Sequence, residues 1–188
     1  MAETSVKNQG QVSQICVKCG FCCSGLLYDQ ARLEDGEVDF ARAIGLDVGA
    51  DPRTTTGQKK FALPCPHLCG TVCSIYQQSR PKICSHFFCE LASKFDRGEL
   101  SQAESLQKVE EAQRLMRRIE PMLMPGENWT MARARWSSNR NKTPRSPGEA
   151  KFQMLMTALN LFLDRNFRKE RQRIVSVEPQ SMEVVEGE

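Results

Sequence analysis

The chain has 188 residues, 40% of them hydrophobic and 26% charged, with a formal net charge of only +3. That length suits one compact domain, or one domain with an appended helical piece, and so small a charge excludes both a globally basic nucleic-acid binder and an acidic solvating chain. Residues 1–14 lack a basic region followed by an apolar one, and no run reaches the roughly 18 to 20 apolar residues of a bilayer-crossing helix, so a cytoplasmic protein without a membrane anchor is expected.

The nine cysteines all lie between Cys16 and Cys89. In a reducing compartment disulfides are rare, so thiols gathered in this way point to metal ligation. In chain order, residues 1–14 form a hydrophilic, flexible leader. The first cysteine group, ICVKCGFCC, reads as a loop or knuckle rather than regular helix, with Gly20 allowing a tight turn. Over residues 30–44, Leu33, Val38, Phe40, Ala41 and Ile44 predict one or two short helical turns, interrupted by Gly36 and ended near Gly45. Residues 47–60 are rich in Gly, Thr, Asp and Lys and predict an exposed loop, after which Phe61, Ala62 and Leu63 form a short extended entry into the second cysteine group. Pro64, Pro66, Gly70 and Pro81 forbid a continuous helix there, so the metal has to organise the backbone.

The second half is helical. Leu106, Val109, Ala112, Met116 and Ile119 mark one apolar side of a helix over residues 100–120, which Pro121 ends. Residues 125–148 are polar and loop-like. A second helix over residues 148–171 carries Phe152, Leu155, Met156, Leu159, Phe162, Leu163 and Phe167 on its apolar side. Its basic end, residues 165–173, complements the helix dipole. The chain therefore divides into the leader, a cysteine-cluster domain over 15–98, a helical extension over 99–173 packed on it, and a tail over 174–188 that is a terminal strand or disordered. The fold class expected is mainly α, with an irregular, metal-stapled cysteine-rich region and little or no sheet.

Cys16, Cys19 and Cys22 follow C-x2-C-x2-C, a spacing that aims thiolates at one centre without strain. Cys22 and Cys23 are adjacent, and neighbouring side chains diverge, so two centres or one polynuclear cluster are favoured over a single zinc ion. The second group adds Cys65, Cys69, Cys73, Cys84 and Cys89, with His67 and His86 as nitrogen ligands in reserve or hydrogen-bond donors to sulfur. Two tetrahedral sites use eight thiols and leave one as a spare, a bridge or a reactive group. Cys65-Pro66 is similar to the remote Cys-Pro of bacterial ferredoxins. Tyr76 and Arg80 are candidates for tuning the centre or for a structural ion pair.

These residues resemble the CxxCxxCC cysteine-cluster family, also called YkgJ-like. Cys16, Cys19, Cys22, Cys23, Cys65, Cys73 and Cys84 match its cysteines, and Ile75, Tyr76, Arg80, Pro81 and Phe87 match its framework. Ser85 stands where the family usually has Arg, Gln78 and Ser79 lengthen the segment before Arg80-Pro81, Cys69 is extra, and Cys89 matches only some members. The resemblance implies zinc or iron chelation over residues 16–89. A further similarity to the motif of flagellin lysine N-methylases implies an iron–sulfur centre, but no glycine-rich methyl-donor site accompanies it.

The leading expectation is a metal-binding protein that holds an iron–sulfur cluster or iron, with zinc as the alternative cofactor and metal ions as its partners. The competing reading is a metal- or cluster-dependent modifying enzyme or maturation factor acting on a peptide, protein or small molecule. A nucleic-acid-binding module is the least favoured reading. Arg133, Arg135, Arg140, Lys142 and Arg145 interleave with Trp129 and Trp136, but a solvated loop with both tryptophans in the core explains the same pattern. Met116, Met122, Met124, Met131, Met154 and Met156 are read as core filler rather than as a copper site.

Overall fold

Local stop and start signals set most element boundaries. In the computed structural model, which describes residue 12 and residues 14–51, 54–55 and 57–175, about half of those residues are helical and the strands are few and short. Residues 14–19 are helical (α1), contrary to the loop expected for the first cysteine group. The Gly20 N–H donates to the Cys16 carbonyl (3.0 Å) at φ +66°, so the helix ends in a left-handed residue that glycine adopts without steric cost.

A three-stranded antiparallel sheet follows, built from β1 (Gln30–Arg32), β2 (Val48–Ala50) and β3 (Lys59–Ala62) in the order β1-β3-β2, with α2 (Val38–Ala43) between the first two strands. Leu33, Ala41, Leu46, Phe61 and Leu63 form a small core beside it. Next comes a two-stranded hairpin of β4 (Leu68–Cys69) and β5 (Val72–Cys73), then the short helices α3 (Lys82–His86) and α4 (Glu90–Asp96).

The second half is made of α5 (Gln102–Ile119), α6 (Trp129–Asn139) and α7 (Pro147–Asn166). Ser101 and Glu104 form a reciprocal capping box at the start of α5, and Ser146 with Pro147 opens α7. Helix α6 occupies a segment read from the sequence as a loop. Asn128 caps it by accepting from the Met131 N–H (3.0 Å), and it buries only Ala132 and Trp136, too few to show a period of 3.6. Helix α7 ends at Asn166, five residues earlier than the sequence pattern implies. Of the six methionines named above, Met156 is buried, Met116 and Met122 are half-buried, and Met124, Met131 and Met154 are on the surface.

The main core crosses both halves of the chain. Phe21, Leu26 and Leu27, immediately around the first cysteine group, pack with Leu91 and Phe95 of α4 and with the apolar sides of α5 and α7. Val12 joins the same core. At its centre lies Arg168, which is fully buried and not the solvated dipole complement expected of a basic helix end. Its guanidinium donates to Asp164 Oδ1 (2.8 Å), Asn160 Oδ1 (3.2 Å), the Leu26 carbonyl (3.2 Å) and the Leu27 carbonyl (3.4 Å). Asp164 Oδ2 in turn accepts from the Ile174 and Val175 N–H groups at 3.1 and 2.8 Å. One side chain thus ties the end of α7 to the backbone that leaves the CxxCxxCC motif. Of the tail read as starting at residue 174, residues 176–188 lie outside the described residues.

Arg168→Ala would leave Asp164 buried without its cation and remove the guanidinium donor from the Leu27 carbonyl, while the Leu26 carbonyl keeps Arg133. We expect it to lower stability by about 3–5 kcal/mol in urea unfolding, whereas Arg165→Ala, on the exposed side of the same turn, should stay within about 0.5 kcal/mol.

Candidate metal centre

The cysteines arrive at the site from six places: Cys16 and Cys19 from α1, Cys22 and Cys23 from the turn after Gly20, Cys65 from the residues before β4, Cys73 from β5, Cys84 from α3, and Cys89 from the cap of α4. All nine are free thiols. Gly20 brings the two cysteine loops together, because a Cβ built there would sit 3.1 Å from Thr71 Cα. A second link is the Cys65 N–H, which donates to the Cys23 carbonyl at 2.8 Å.

The vicinal pair separates the thiols into two neighbourhoods. Cys19, Cys22 and Cys89 pack against the main core, whereas Cys65 packs against the small core beside the sheet. The electrostatic couplings follow the same division. Cys16, Cys19 and Cys22 feel Cys89 most strongly among charged neighbours, whereas Cys23 feels Cys65 and Cys73, and Cys84 feels Cys23, Cys65 and Cys73. The first set is Cys16, Cys19, Cys22 and Cys89, and the second is Cys23, Cys65, Cys73 and Cys84. Cys23 also acts on Cys16, Cys19 and Cys22, so the two sets adjoin.

Cys69 stands apart. In the hairpin it pairs with Val72, while Cys73 pairs with Leu68. Successive residues of a strand point to opposite faces, so Cys69 and Val72 share the face opposite Cys73, and both are exposed.

Burial is the main influence on these thiols. Cys16 and Cys84 are exposed at the surface, yet the protein packed around their sulfurs pushes each up to about 12, with thiolate neighbours adding to the effect. Burial also raises Cys23 to about 11, where the Arg80 guanidinium partly offsets Cys65 and Cys73. Cys19 and Cys22 are held well above the ordinary thiol range, and Cys65 and Cys89 are raised. Working against this, backbone N–H groups point at sulfur: Phe21 toward Cys19, His67 toward Cys65, and Leu91 and Ala92 toward Cys89, with Ala92 N at 3.5 Å from Cys89 Sγ. Amide donors to thiolate sulfur are how cysteine-bound centres are stabilised and tuned. These donors belong to the main chain and leave no trace in the residue types.

Both histidines already have a partner. His67 Nε2 donates to the Ile44 carbonyl (2.6 Å), and His86 Nδ1 to the Lys82 carbonyl (2.9 Å). Tyr28 lies beside the first set, its phenol raised by burial and by Cys22 and Cys89, and its hydroxyl donates to Gln172 Oε1 (3.1 Å). Arg80 has no carboxylate partner among the described residues. Its Nε is sheltered from solvent with no hydrogen bond, and its guanidinium lies 4.3 Å from the centre of the Tyr76 ring.

Eight soft donors, main-chain N–H groups aimed at three of them, and an orphaned cationic N–H beside the second set fit a thiophilic metal or cluster. Among the described residues no three Cys, His, Asp or Glu side chains converge on a single point as they would around one ion. Between Asn128 and Gly148 two of the basic residues are engaged internally: Arg133 donates to the Leu26 carbonyl (3.2 Å), and Arg135 pairs with Glu127 (2.7 Å) beneath Phe152, while Arg140, Lys142 and Arg145 are exposed. Trp136 is buried, its indole N–H on Thr157 Oγ1 (3.0 Å).

Such a site defines a cysteine-thiolate metal-binding protein. The family model described as "Putative zinc- or iron-chelating domain", CxxCxxCC, matches residues 15–114, and the chain belongs to this family. Neither the curated proteins nor the solved structures contain a match. Among the described residues no helix is long and apolar enough to cross a membrane.

For the metal-free protein the raised thiols set the sign of the pH dependence. A thiol at about 11 or 12 when folded, and near 9 when unfolded, stabilises the folded state below pH 9 and loses that contribution as pH rises from 9 toward 12. Urea midpoints of the metal-free chain should therefore fall above pH 9. Metal loading should reverse the trend, because bound thiolates carry no protons and unfolding then takes protons up; the midpoints should rise up to about pH 9.

Proposed function

We propose that this chain holds two adjoining metal centres, each by four cysteine sulfurs: Cys16, Cys19, Cys22 and Cys89 at one, and Cys23, Cys65, Cys73 and Cys84 at the other. The observation that carries the proposal is the separation of Cys22 from Cys23, one directed to the main core with Cys89 and the other to Cys65 and Cys73. Cys69 is the surplus thiol.

Iron–sulfur clusters are the favoured occupants and zinc the alternative. The N–H groups aimed at Cys19, Cys65 and Cys89 support this reading, since hydrogen bonds to sulfur and burial set cluster potentials. The protein is proposed to act in the cytoplasm, as an electron-carrying or structural holder of these centres.

One observation favours the enzyme reading as a second possibility. A cavity of about 270 Å³ has Cys19 in its wall, together with Gly70 and Thr71 of the hairpin, Gln113 and Met116 of α5, and Trp129. A peptide side chain or small molecule seated there would lie against the first centre.

The test is anaerobic purification with metal and sulfide analysis of single-cysteine variants. Brown protein with iron and inorganic sulfide supports clusters, and colourless protein with about two zinc ions per chain supports the alternative. Cys22→Ser and Cys23→Ser should each lose about half of the metal, from different centres, and Cys69→Ser should lose none. Two neighbouring variants that empty the same centre, or a Cys69→Ser variant that loses metal, would overturn the assignment.

A further inference from the structure

We propose that Arg80 is the counter-cation of the second centre, its buried Nε–H donating to a sulfur of that centre and its guanidinium making the two centres electrically unequal. This rests on the two-centre reading. Four thiolates around a dication, or around a cluster core of the same charge, leave a net charge of about two negative units, which is costly to bury without a compensating cation.

The first set has no cation among its leading electrostatic neighbours. Those are the other cysteines and, at Cys89, Glu90, and its compensation comes from the N–H groups of Phe21, Leu91 and Ala92. At the second set the Arg80 charge acts on both Cys23 and Cys84.

Arg80 is held in place by the elements that carry the ligands. It stacks on Tyr76, whose N–H donates to the Cys73 carbonyl at 3.2 Å. It directly precedes Pro81, the cap of α3, whose carbonyl accepts from the Cys84 N–H at 2.9 Å. A guanidinium stays charged at any relevant pH, and its planar fork leaves Nε available when the terminal nitrogens face elsewhere. A sheltered N–H without an acceptor is rare in a folded protein, and a thiolate or sulfide sulfur at this centre would satisfy it. Arg80 is a tuning residue: it acts on the centre through charge and a hydrogen bond and is not a ligand.

Cobalt(II) provides a probe that reads thiolate sites whether the native occupant is iron or zinc. The protein is stripped of metal, reloaded with cobalt(II) anaerobically, and titrated with a competing chelator while the sulfur-to-cobalt charge-transfer band is recorded. A Cys19→Ser background, with the first centre emptied, isolates the second. In that background Arg80→Gln should weaken cobalt binding roughly 10- to 100-fold and move the charge-transfer band to longer wavelength, because an N–H donor has been removed from sulfur. Arg80→Lys, which keeps the charge and loses the fork, should recover most of the affinity but not the band position. In a Cys65→Ser background, which retains the first centre, Arg80→Gln should leave binding unchanged.

Unaltered affinity and band in Arg80→Gln at the second centre would overturn the proposal while leaving two centres standing. Equal weakening at both centres, with no recovery by Arg80→Lys, would also overturn it, because that is the signature of a general loss of folding. Absence of any cobalt site in the Cys19→Ser background would instead defeat the two-centre reading itself.

Discussion

The buried guanidinium of Arg168 joins two parts of the chain that lie more than 140 positions apart in sequence. It donates to the carbonyls of Leu26 and Leu27, which follow the CxxCxxCC motif, and to Asn160 and Asp164 on α7. A fully buried cation is tolerable only where its donors are satisfied and a carboxylate neutralises it, so the arrangement has a single workable geometry. Around it the Phe21 and Phe167 rings meet at 5.4 Å, and the Phe167 carbonyl accepts from the Glu90 N–H at 3.0 Å. Cys22 precedes one of these contacts and Cys89 adjoins the other. The end of α7 therefore holds the two distant arms of the first cysteine set in register.

Adjacency of Cys22 and Cys23 is the second constraint. A chain that passes between two thiolate sets must send consecutive side chains in opposite senses, and here it does so where most of the thiols are partly shielded from water. Burial alone would make such a place hostile to thiolates, as the upward displacement of Cys16, Cys19, Cys22, Cys23 and Cys84 indicates. Main-chain N–H groups at Phe21, His67, Leu91 and Ala92 lower that cost selectively, so the backbone is shaped for the charged form while the surroundings favour the neutral one. Metal is the species that resolves the conflict, since it replaces the protons and satisfies the sulfurs together.

How much of this was legible in the residue types depends on how local each cause is. Helices α5 and α7 could be read from their apolar repeats, and the short strand before the second cysteine group from Phe61 to Leu63. The helix carrying Cys16 and Cys19 could not, because its C-terminal stop, Gly20, equally suits a knuckle turn. Helix α6 escaped because only Ala132 and Trp136 face the core, while its arginines bond inward to the Leu26 carbonyl and to Glu127. The family pattern of Cys16 through Cys84 was visible in spacing alone. What spacing does not contain is the partition: Cys89 and Cys69 look equivalent along the chain, and only the cap of α4 and the alternation of the hairpin distinguish them. Arg168 is a similar case, since a basic helix end in sequence is ordinarily solvated and its burial follows from partners more than 140 positions away.

The family match ends at residue 114, within α5, yet the contacts that bring Cys22 and Cys89 together come from Phe167 and Arg168, beyond that limit. In this chain the cysteine region is therefore not energetically separable from the helices that follow it. The second set draws on α6 instead: Thr130 Oγ1 lies against the Leu63 carbonyl (3.1 Å) and the Gly25 carbonyl (3.4 Å), beside Cys65 and Cys23, and the hairpin, α3 and the Cys65 to Cys23 main-chain bond complete the arrangement. The first set depends on the end of α7, and the second on α6 together with local turns. Loop-closure cost rises slowly with the length of chain between partners, so the contact spanning 142 positions behind the first set is somewhat costlier to close than those spanning 67 and 105 positions behind the second.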